Sequence, residues 1–272
     1  MNALLTIEDL RVGFGVGPHT KEVLRGVGLD LVAGCITGLA GESGSGKSMT
    51  ALAVCGLLPA GARATGTITY DGVDLLGLPE KRMASYRGRR LAMVFQDPTA
   101  SLHPMLTIGT QLTDHVRHHL GLSKREAMAR AVRLLRAVHV PEPEEAVRKY
   151  PHQFSGGQLQ RVAIAIAMAC EPQVLIADEP TTALDVTVQA GVLRLLRELV
   201  DTTGISVMLI THDLGVMSAV ADEVVVLRDG EIVEAGPRRQ VLTAPAHPYT
   251  RALIDALPAH ERPGTLAGGG AR

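Results

Sequence analysis

A glycine-rich stretch at residues 41–48 has the side chains and the spacing that bind a nucleoside triphosphate. It reads Gly-Glu-Ser-Gly-Ser-Gly-Lys-Ser, and its glycines let the backbone curl so that successive N–H groups point at an anion. Lys47 can reach the β- and γ-phosphates, and the Ser48 hydroxyl can ligate Mg²⁺. The alternative, a plain turn between a strand and a helix, is disfavoured by the full spacing. The predicted nucleotide contacts of this phosphate loop are Gly41, Glu42, Ser43, Gly44, Ser45, Gly46, Lys47, Ser48 and the following Met49.

Two adjacent carboxylates, Asp178 and Glu179, end an apolar run at residues 174–177. Such a run is typical of a strand buried on both faces of a parallel sheet, and ligands lie beyond the carboxyl ends of these strands. Because side chains alternate along an extended chain, we expect Asp178 to face magnesium through water and Glu179 to act as the general base. Alone, the pair would more simply end a strand in a solvated turn, but the phosphate loop favours the catalytic interpretation.

The segments beside the phosphate loop predict the elements that hold it. Residues 35–40 predict a short buried strand that enters the loop, and residues 48–58 predict a helix that Pro59 ends. The amino end of that helix would add the positive end of its dipole to the N–H donors. The phosphate loop is therefore expected at a strand-to-helix junction.

The rest of the chain alternates between segments that predict strands and a segment that predicts helices. Residues 4–96 predict short strands and turns around one helix, and residues 97–170 predict three helices, at 108–120, 124–138 and 142–150. Strands and helices alternate again over residues 174–233, where Asp229-Gly230 predicts a hairpin turn. This order indicates an α/β core with a helical insertion, not two domains in series.

Five further pieces lie in a fixed order along the chain. They are Phe14 before the phosphate loop, Gln96 after the strand-like residues 91–95, the segment Phe154-Ser155-Gly156-Gly157-Gln158-Leu159-Gln160-Arg161, Ala183-Leu184-Asp185, and His212 after the strand 207–211. Together with the phosphate loop and the acid pair, this set closely resembles the nucleotide-binding subunit of an ATP-binding cassette (ABC) transporter. The resemblance runs from about residue 4 to residue 257. We call residues 154–161 the signature segment.

The resemblance implies a fold and its boundaries. The expected fold is a P-loop NTPase (RecA-like) α/β core with an antiparallel β subdomain and an inserted α-helical subdomain. The ABC nucleotide-binding domain would span residues 4–243, with the core at 4–96 and 171–243 and the helical subdomain at 97–170. Residues 244–272 would form a C-terminal extension with a flexible tail.

The resemblance also implies roles within the chain's own nucleotide site, with ATP and Mg²⁺ as the bound species. Gln96 would contact magnesium or the attacking water, and His212 would hold the γ-phosphate and orient Glu179. Phe14 would stack on adenine, although a plain core aromatic is the alternative at that position. The implied metal ligands are Ser48, Gln96 and Asp178.

The signature segment would act on a second subunit. Ser155 and the N–H groups of Gly156 and Gly157, with Gln158, would reach the γ-phosphate of ATP bound to the partner, and Asp185 would lie at the same interface. A helix amino terminus capped by serine is the simpler alternative for this segment. The chain has one phosphate loop and one signature segment, so two composite sites need a second ABC ATPase subunit, identical or not.

Composition excludes several classes of protein. The formal charge is −1, aromatics are 3% and tryptophan is absent, which argues against a nucleic-acid partner. The longest apolar run, residues 162–170, is far shorter than the roughly 20 residues of a membrane helix. The opening residues do not resemble a signal peptide, and the three scattered cysteines suit reduced thiols in a cytosol.

The C-terminal part resembles one transporter branch. Residues 244–253, which include His247-Pro248-Tyr249-Thr250, look like the C-terminal element of peptide and nickel importer ATPases, and residues 95–98 and 101–104 resemble the same branch. His103 and Cys35 depart from its pattern, where Asn and Glu are common. Longer relatives hold an iron–sulfur cluster through tail cysteines, but residues 259–272 contain no cysteine, so we predict no cluster.

The resemblance implies an ATP hydrolase that powers import of a small solute, a peptide or nickel. Its expected partners are two transmembrane permease subunits and an extracytoplasmic solute-binding protein, with this chain peripheral on the cytoplasmic side of the membrane. The alternatives are an exporter or other-branch importer ATPase, and a soluble nucleic-acid or ribosome-associated ABC ATPase. His115, His118 and His119 share a predicted helix, and we interpret them as a solvated face and not as a metal site.

Overall fold

The computed structural model describes residues 3–15, 21–182 and 184–257. These residues form two compact units, one from residues up to 79 together with those from 206 onwards, and the other from residues 80–205. We refer to them as the first and second units. The tail from residue 258 and Ala183, which the sequence analysis named, lie outside the described residues.

The first unit contains a four-stranded antiparallel sheet in the order β2-β1-β4-β5. Buried residues alternate along β1 as Leu5 and Ile7, and again as Leu10 and Val12 after a register shift. Each pair follows the period-2 pattern of a sheet with one packed face. The strands are β1 Ala3–Phe14, β2 Lys21–Val32, β4 Ala62–Tyr70 and β5 Val73–Asp74.

The first unit also contains strands in the order β10-β9-β3-β8, with β3 parallel to both β8 and β9. The register pairs Ala40 at the end of β3 with Thr211 of β8 and Val226 of β9. The phosphate loop and His212 therefore leave the same edge of the sheet. The strands are β3 Ile36–Ala40, β8 Ser206–Thr211, β9 Glu223–Arg228 and β10 Glu231–Pro237. The helices of this unit are α1 Lys47–Val54, α9 Leu214–Val220, α10 Arg238–Thr243 and α11 Pro248–Asp255.

The second unit contains a parallel pair of strands and most of the helices. Strand β6 pairs with β7 so that Val94 faces Ala177, and the chain leaves both strands at the same edge. Asp178 ends β7 at that edge, and Gln96 and Glu179 lie just beyond it. The elements are α2 Glu80–Tyr86, β6 Leu91–Val94, α3 Pro98–Ser101, α4 Ile108–Leu120, α5 Lys124–Ala137, α6 Pro143–Ala146, α7 Gly156–Ala167, β7 Val174–Asp178 and α8 Val186–Thr203.

Several predicted elements are confirmed, and two helices are shorter than predicted. The hairpin around Asp229-Gly230 and the helix at 108–120 are as expected. Helix α1 ends at Val54, because Gly56 turns left-handed with φ 61°, and does not continue to Leu58. The predicted helix 142–150 is wrong beyond Ala146.

The carbonyls that would continue α6 have partners elsewhere in the chain. The Val147 carbonyl accepts from the Gly109 N–H at 2.8 Å, and the Lys149 carbonyl accepts from the Ile108 N–H at 2.9 Å. These contacts replace hydrogen bonds within a helix. Helix α2 was not predicted. Across the described ranges, the helices are too short or too polar to cross a membrane.

Candidate functional site

The phosphate loop lies between β3 and α1, with its glycines in conformations that other residues avoid. Gly41 has φ 149°, and a Cβ there would lie 2.1 Å from the Leu227 carbonyl oxygen. Gly46, which precedes α1, has φ 110°, and its Cβ would meet the Leu24 side chain at 2.5 Å. Residues of β9 and β2 therefore lie directly against the loop, so a side chain at either glycine position would clash with them.

Lys47 is 4% exposed and turns back onto its own loop. Its Nζ donates to the carbonyl oxygens of Gly41 and Glu42, each at 2.8 Å. Ser48 is exposed and Met49 is half-buried on the first turn of α1. The two carbonyls compensate the buried ammonium and fix its direction.

The turn of the β9–β10 hairpin supports the phosphate loop. The Gly230 N–H donates to the Ser45 carbonyl oxygen at 3.0 Å. The Ser45 side chain is 5% exposed, and its hydroxyl has no hydrogen-bond partner among the described residues. A buried hydroxyl of this kind needs a partner, and a phosphate oxygen would be a suitable acceptor.

Glu179, Gln96 and Thr182 form a hydrogen-bonded cluster in the second unit. The Glu179 Oε2 accepts from the Gln96 Nε2 at 2.9 Å and from the Thr182 hydroxyl at 2.8 Å. The neighbouring Asp178 is 7% exposed at the end of β7. The structure thus brings together two residues that the sequence analysis assigned to one site, Gln96 and Glu179.

The simple alternation expected for the acid pair is wrong in its geometry. Glu179 has φ 46°, a left-handed conformation, so the extended chain ends at Asp178. The turn that follows is closed by the Thr182 N–H, which donates to the Glu179 carbonyl oxygen at 3.2 Å. A backbone turn, and not strand alternation, therefore sets the direction of the Glu179 carboxylate.

The signature segment begins α7 with a capping box. Ser155 Oγ accepts from the Gln158 N–H at 3.4 Å, and the Gln158 side chain accepts from the Ser155 N–H at 3.0 Å. Gly156 and Gly157 form the first turn of α7. The serine cap that the sequence analysis weighed is present, and it leaves the glycine N–H groups at a helix amino terminus, where anions bind.

Asp185 and the signature segment are connected through Val188. Asp185 caps α8 by accepting the Val188 N–H at 3.0 Å. The Val188 side chain lies against Gly157, where an added Cβ would be 2.4 Å from Val188 Cγ1. The amino termini of α7 and α8 therefore pack directly on each other.

The remaining predicted residues lie at strand ends in the first unit. His212 is exposed immediately after β8, and the next residue, Asp213, caps α9 through the N–H groups of Gly215 and Val216. Phe14 is half-buried at the end of β1, paired with Lys21 and Ala62. This half-buried position is compatible both with stacking on adenine and with a plain core aromatic.

Three supporting residues were not predicted from the sequence. Thr182 holds Glu179, Gly230 holds the phosphate loop, and Tyr249 accepts a hydrogen bond from the loop at Glu42. A signal existed for Gly230, because the Asp-Gly hairpin turn was predicted. Tyr249 was noted only as part of a branch resemblance.

Comparison with known families confirms the resemblance. The family model described as ABC transporter matches residues 24–182, and the one described as the oligopeptide/dipeptide transporter C-terminal region matches residues 233–269. The first match contains the phosphate loop, the signature segment and the acid pair. The second contains the His247–Thr250 element.

Curated relatives and solved structures agree with these matches. The chain is 45% identical to the oligopeptide transport ATP-binding protein OppD of Salmonella typhimurium, over 94% of this chain and 77% of the relative. It is also 45% identical to the dipeptide transport ATP-binding protein DppD of Bacillus subtilis, over 95% and 78%. A dimeric post-hydrolysis structure of the ATP-binding cassette MJ0796 with ADP and Pi is similar, with TM-score 0.76 and 28% identity over 86% of this chain and 99% of that one. The structure of cbiO1 from Clostridium perfringens has TM-score 0.77 and 26% identity over 94% of both chains.

The packing of Gly157 on Val188 generates a testable prediction. Gly157→Ala should lower the free energy of unfolding by about 1–3 kcal/mol, because its methyl group would overlap Val188. Combining it with Val188→Ala should recover most of that loss. Urea unfolding of the two single variants and the double variant gives the coupling energy between the positions.

Gly156→Ala is the matched control for this prediction. A Cβ at Gly156 would lie 3.7 Å from the Leu184 side chain, an ordinary contact. It should therefore change stability much less than Gly157→Ala. Equal stability of the two alanine variants, or additive effects in the double variant, would contradict the packing argument.

Proposed function

This chain belongs to the ABC transporter family, and from that premise we propose that it is the ATP-hydrolysing subunit of a peptide importer. The carrying observation is the match of residues 233–269 to the oligopeptide/dipeptide transporter C-terminal region. The peptide-transport names of the relatives, at 45% identity over most of the chain, support the same assignment.

The phosphate loop fits ATP as the substrate. Its curved backbone, the amino end of α1 and the buried Ser45 hydroxyl together offer donors to phosphate oxygens. Lys47 would carry the positive charge, oriented by the Gly41 and Glu42 carbonyls. Phe14 would contact adenine, and Met49 would complete the contacts at the start of α1.

Oxygen donors suited to Mg²⁺ are available among the predicted ligands. The Ser48 hydroxyl, the Asp178 carboxylate and the Gln96 amide oxygen are the hard ligands that this ion prefers. Bound magnesium would neutralise charge on the β- and γ-phosphates. These residues would hold it, with Asp178 acting through water.

Glu179 is proposed to take the proton from the attacking water. Gln96 and Thr182 both donate to its Oε2, so two side chains hold the carboxylate. Holding the base in place removes part of the ordering that a free side chain would need. His212 would contact the γ-phosphate and orient Glu179.

A second ATPase subunit would complete each site. The first turn of α7 presents Ser155, Gly156, Gly157 and Gln158, and Asp185 begins α8 beside it. These groups would bind the γ-phosphate of ATP held by the partner's phosphate loop. ATP would then favour the closed dimer through its higher affinity for that state.

Two exposed side chains in the second unit are candidates for contact with permease subunits. Met105 is 76% exposed on a loop that Gln111 holds, since its Nε2 donates to the His103 and Leu106 carbonyls at 3.1 and 3.0 Å. Exposed Tyr150 lies on the segment whose Lys149 carbonyl accepts the Ile108 N–H. We propose that permease subunits contact these two side chains. Through such contacts the chain would be held on the cytoplasmic face of the membrane.

Glu179→Gln tests the general base. The variant should bind ATP normally but hydrolyse it about 10²–10⁴-fold more slowly, because the amide cannot accept the proton. Steady-state phosphate release and equilibrium nucleotide binding measure the two effects. The control is Glu145→Gln, which removes an exposed acid of the same unit and should retain full turnover. Normal turnover in Glu179→Gln would refute the assignment of Glu179 as the general base.

Ser155→Arg tests the composite site. The bulky cation should abolish hydrolysis while the variant's own phosphate loop still binds ATP. Ser123→Arg is the matched control, because it makes the same change at the exposed serine cap of α5, outside the proposed site, and should retain hydrolysis. The composite site is wrong if nucleotide binding by the monomer falls as much as hydrolysis does.

Uptake measurements test the substrate class. Deleting the gene for this chain should abolish uptake of labelled peptides by its host, and the wild-type gene, but not the Glu179→Gln gene, should restore it. Nickel uptake measured in the same strains tests the alternative cargo. Loss of nickel uptake with peptide uptake intact would replace the peptide assignment.

A further inference from the structure

The His247–Thr250 element carries the resemblance to the transporter branch but has no role in the proposed catalytic chemistry. In the structure it reaches the phosphate loop. The Glu42 N–H donates to the Tyr249 hydroxyl oxygen at 3.2 Å, and the Tyr249 side chain is 9% exposed. A C-terminal residue is thus hydrogen-bonded to the backbone of the loop that would hold ATP.

This hydrogen bond and the Lys47 bond act on the same peptide group. The peptide joining Gly41 to Glu42 donates through its N–H to Tyr249, and its carbonyl oxygen accepts from Lys47 Nζ at 2.8 Å. Rotation of that peptide would break both contacts together. The orientation of the Lys47 ammonium is therefore tied to Tyr249.

Tyr249 is itself held by several contacts. The Arg228 guanidinium carbon lies 4.8 Å from the ring centroid, a cation–π distance. His247 Nδ1 accepts the Tyr249 N–H at 3.1 Å, and the Glu234 carboxylate accepts the N–H groups of Ala246 and His247 at 2.8 and 3.1 Å. These contacts fix the position of the Tyr249 ring and of the backbone that carries it.

The protonation state of Tyr249 suits a site for a polyanion. Burial raises the pKa of Tyr249 above its ordinary value, although the Glu42 N–H opposes the shift. The hydroxyl therefore stays neutral at physiological pH and brings no negative charge to the loop. It can accept the Glu42 N–H without repelling phosphate.

We propose that Tyr249 is a positioning residue for nucleotide binding, which fixes the Gly41–Glu42 peptide and through it the direction of Lys47. The C-terminal helix α11 thereby sets the affinity of the phosphate loop for ATP. The inference rests on the proposed role of that loop as the ATP site. Phosphate bound by Lys47 would lie one peptide group away from the Tyr249 hydroxyl and would change its electrostatic surroundings.

Tyr249→Phe in the full chain tests the proposal, because it removes the hydroxyl and keeps the ring under Arg228. The Kd for a fluorescent ATP analogue with Mg²⁺ should rise about threefold to tenfold, the size expected for one hydrogen bond. Tyr70→Phe is the matched control, since Tyr70 is a buried tyrosine of the same unit on β4. It should leave the Kd unchanged, and thermal melts of both variants report any general loss of stability.

A spectroscopic measurement separates positioning from a merely structural role. The chain has four tyrosines, so 3-fluorotyrosine labelling gives few ¹⁹F resonances, and the Tyr249→Phe variant identifies the one from Tyr249. Adding Mg·ATP should shift that resonance and leave the Tyr70 resonance in place. A nucleotide-insensitive Tyr249 resonance, or a Tyr249→Phe Kd equal to that of the wild type, overturns the inference.

Lys47→Ala distinguishes failure of this inference from failure of the proposed function. If the wild type binds the analogue and Lys47→Ala does not, the phosphate loop is the ATP site. An unchanged Kd in Tyr249→Phe then refutes only the role of Tyr249. A wild type that does not bind the analogue would overturn both.

Discussion

The buried ammonium of Lys47 is the constraint around which the first unit is arranged. An unpaired charge in a protein interior is strongly unfavourable, and Lys47 is compensated by two carbonyl oxygens of its own loop. To place those oxygens, the backbone must curl tightly, which requires glycine where Leu227 and Leu24 press on it. The parallel pairing of β3 with β9 brings Leu227 to the edge where the loop begins, and β2 of the antiparallel sheet supplies Leu24. The loop's shape therefore depends on both sheets of the first unit.

In the second unit, the main constraint is the direction of the Glu179 carboxylate. The left-handed turn at Glu179 and its two side-chain donors fix the acid without burying it completely. A backbone in this conformation is strained for a residue other than glycine, by roughly 1–3 kcal/mol. The parallel pairing of β6 with β7 brings Gln96 to the same edge, which offsets part of that cost through one hydrogen bond.

Local signals explain what the sequence could predict. Helix α4 was found at its true bounds because Thr107 caps its start and Gly121, with φ 67°, ends it. The phosphate loop and the acid pair follow strands that are continuous apolar runs in the sequence. Features that depend on contacts distant in sequence were not predicted. The end of α6 depends on hydrogen bonds to Ile108 and Gly109, and Tyr249 meets Glu42 across 207 positions of sequence. Neither contact has a periodic or capping pattern that could reveal it.

The packing of α7 on α8 gives the glycines of the signature segment a second reason to be small. Close approach to a phosphate would require small residues at both Gly156 and Gly157, but only Gly157 touches Val188 closely. The Val188 N–H is the group that Asp185 caps. Asp185, Val188 and Gly157 therefore form one continuous contact between the two helix starts. Because packed groups shift together and not independently, a displacement of α8 would carry the first turn of α7 with it. Under the proposed function, Ser155 and Asp185 would then face the partner's ATP from two helix starts that are packed on each other.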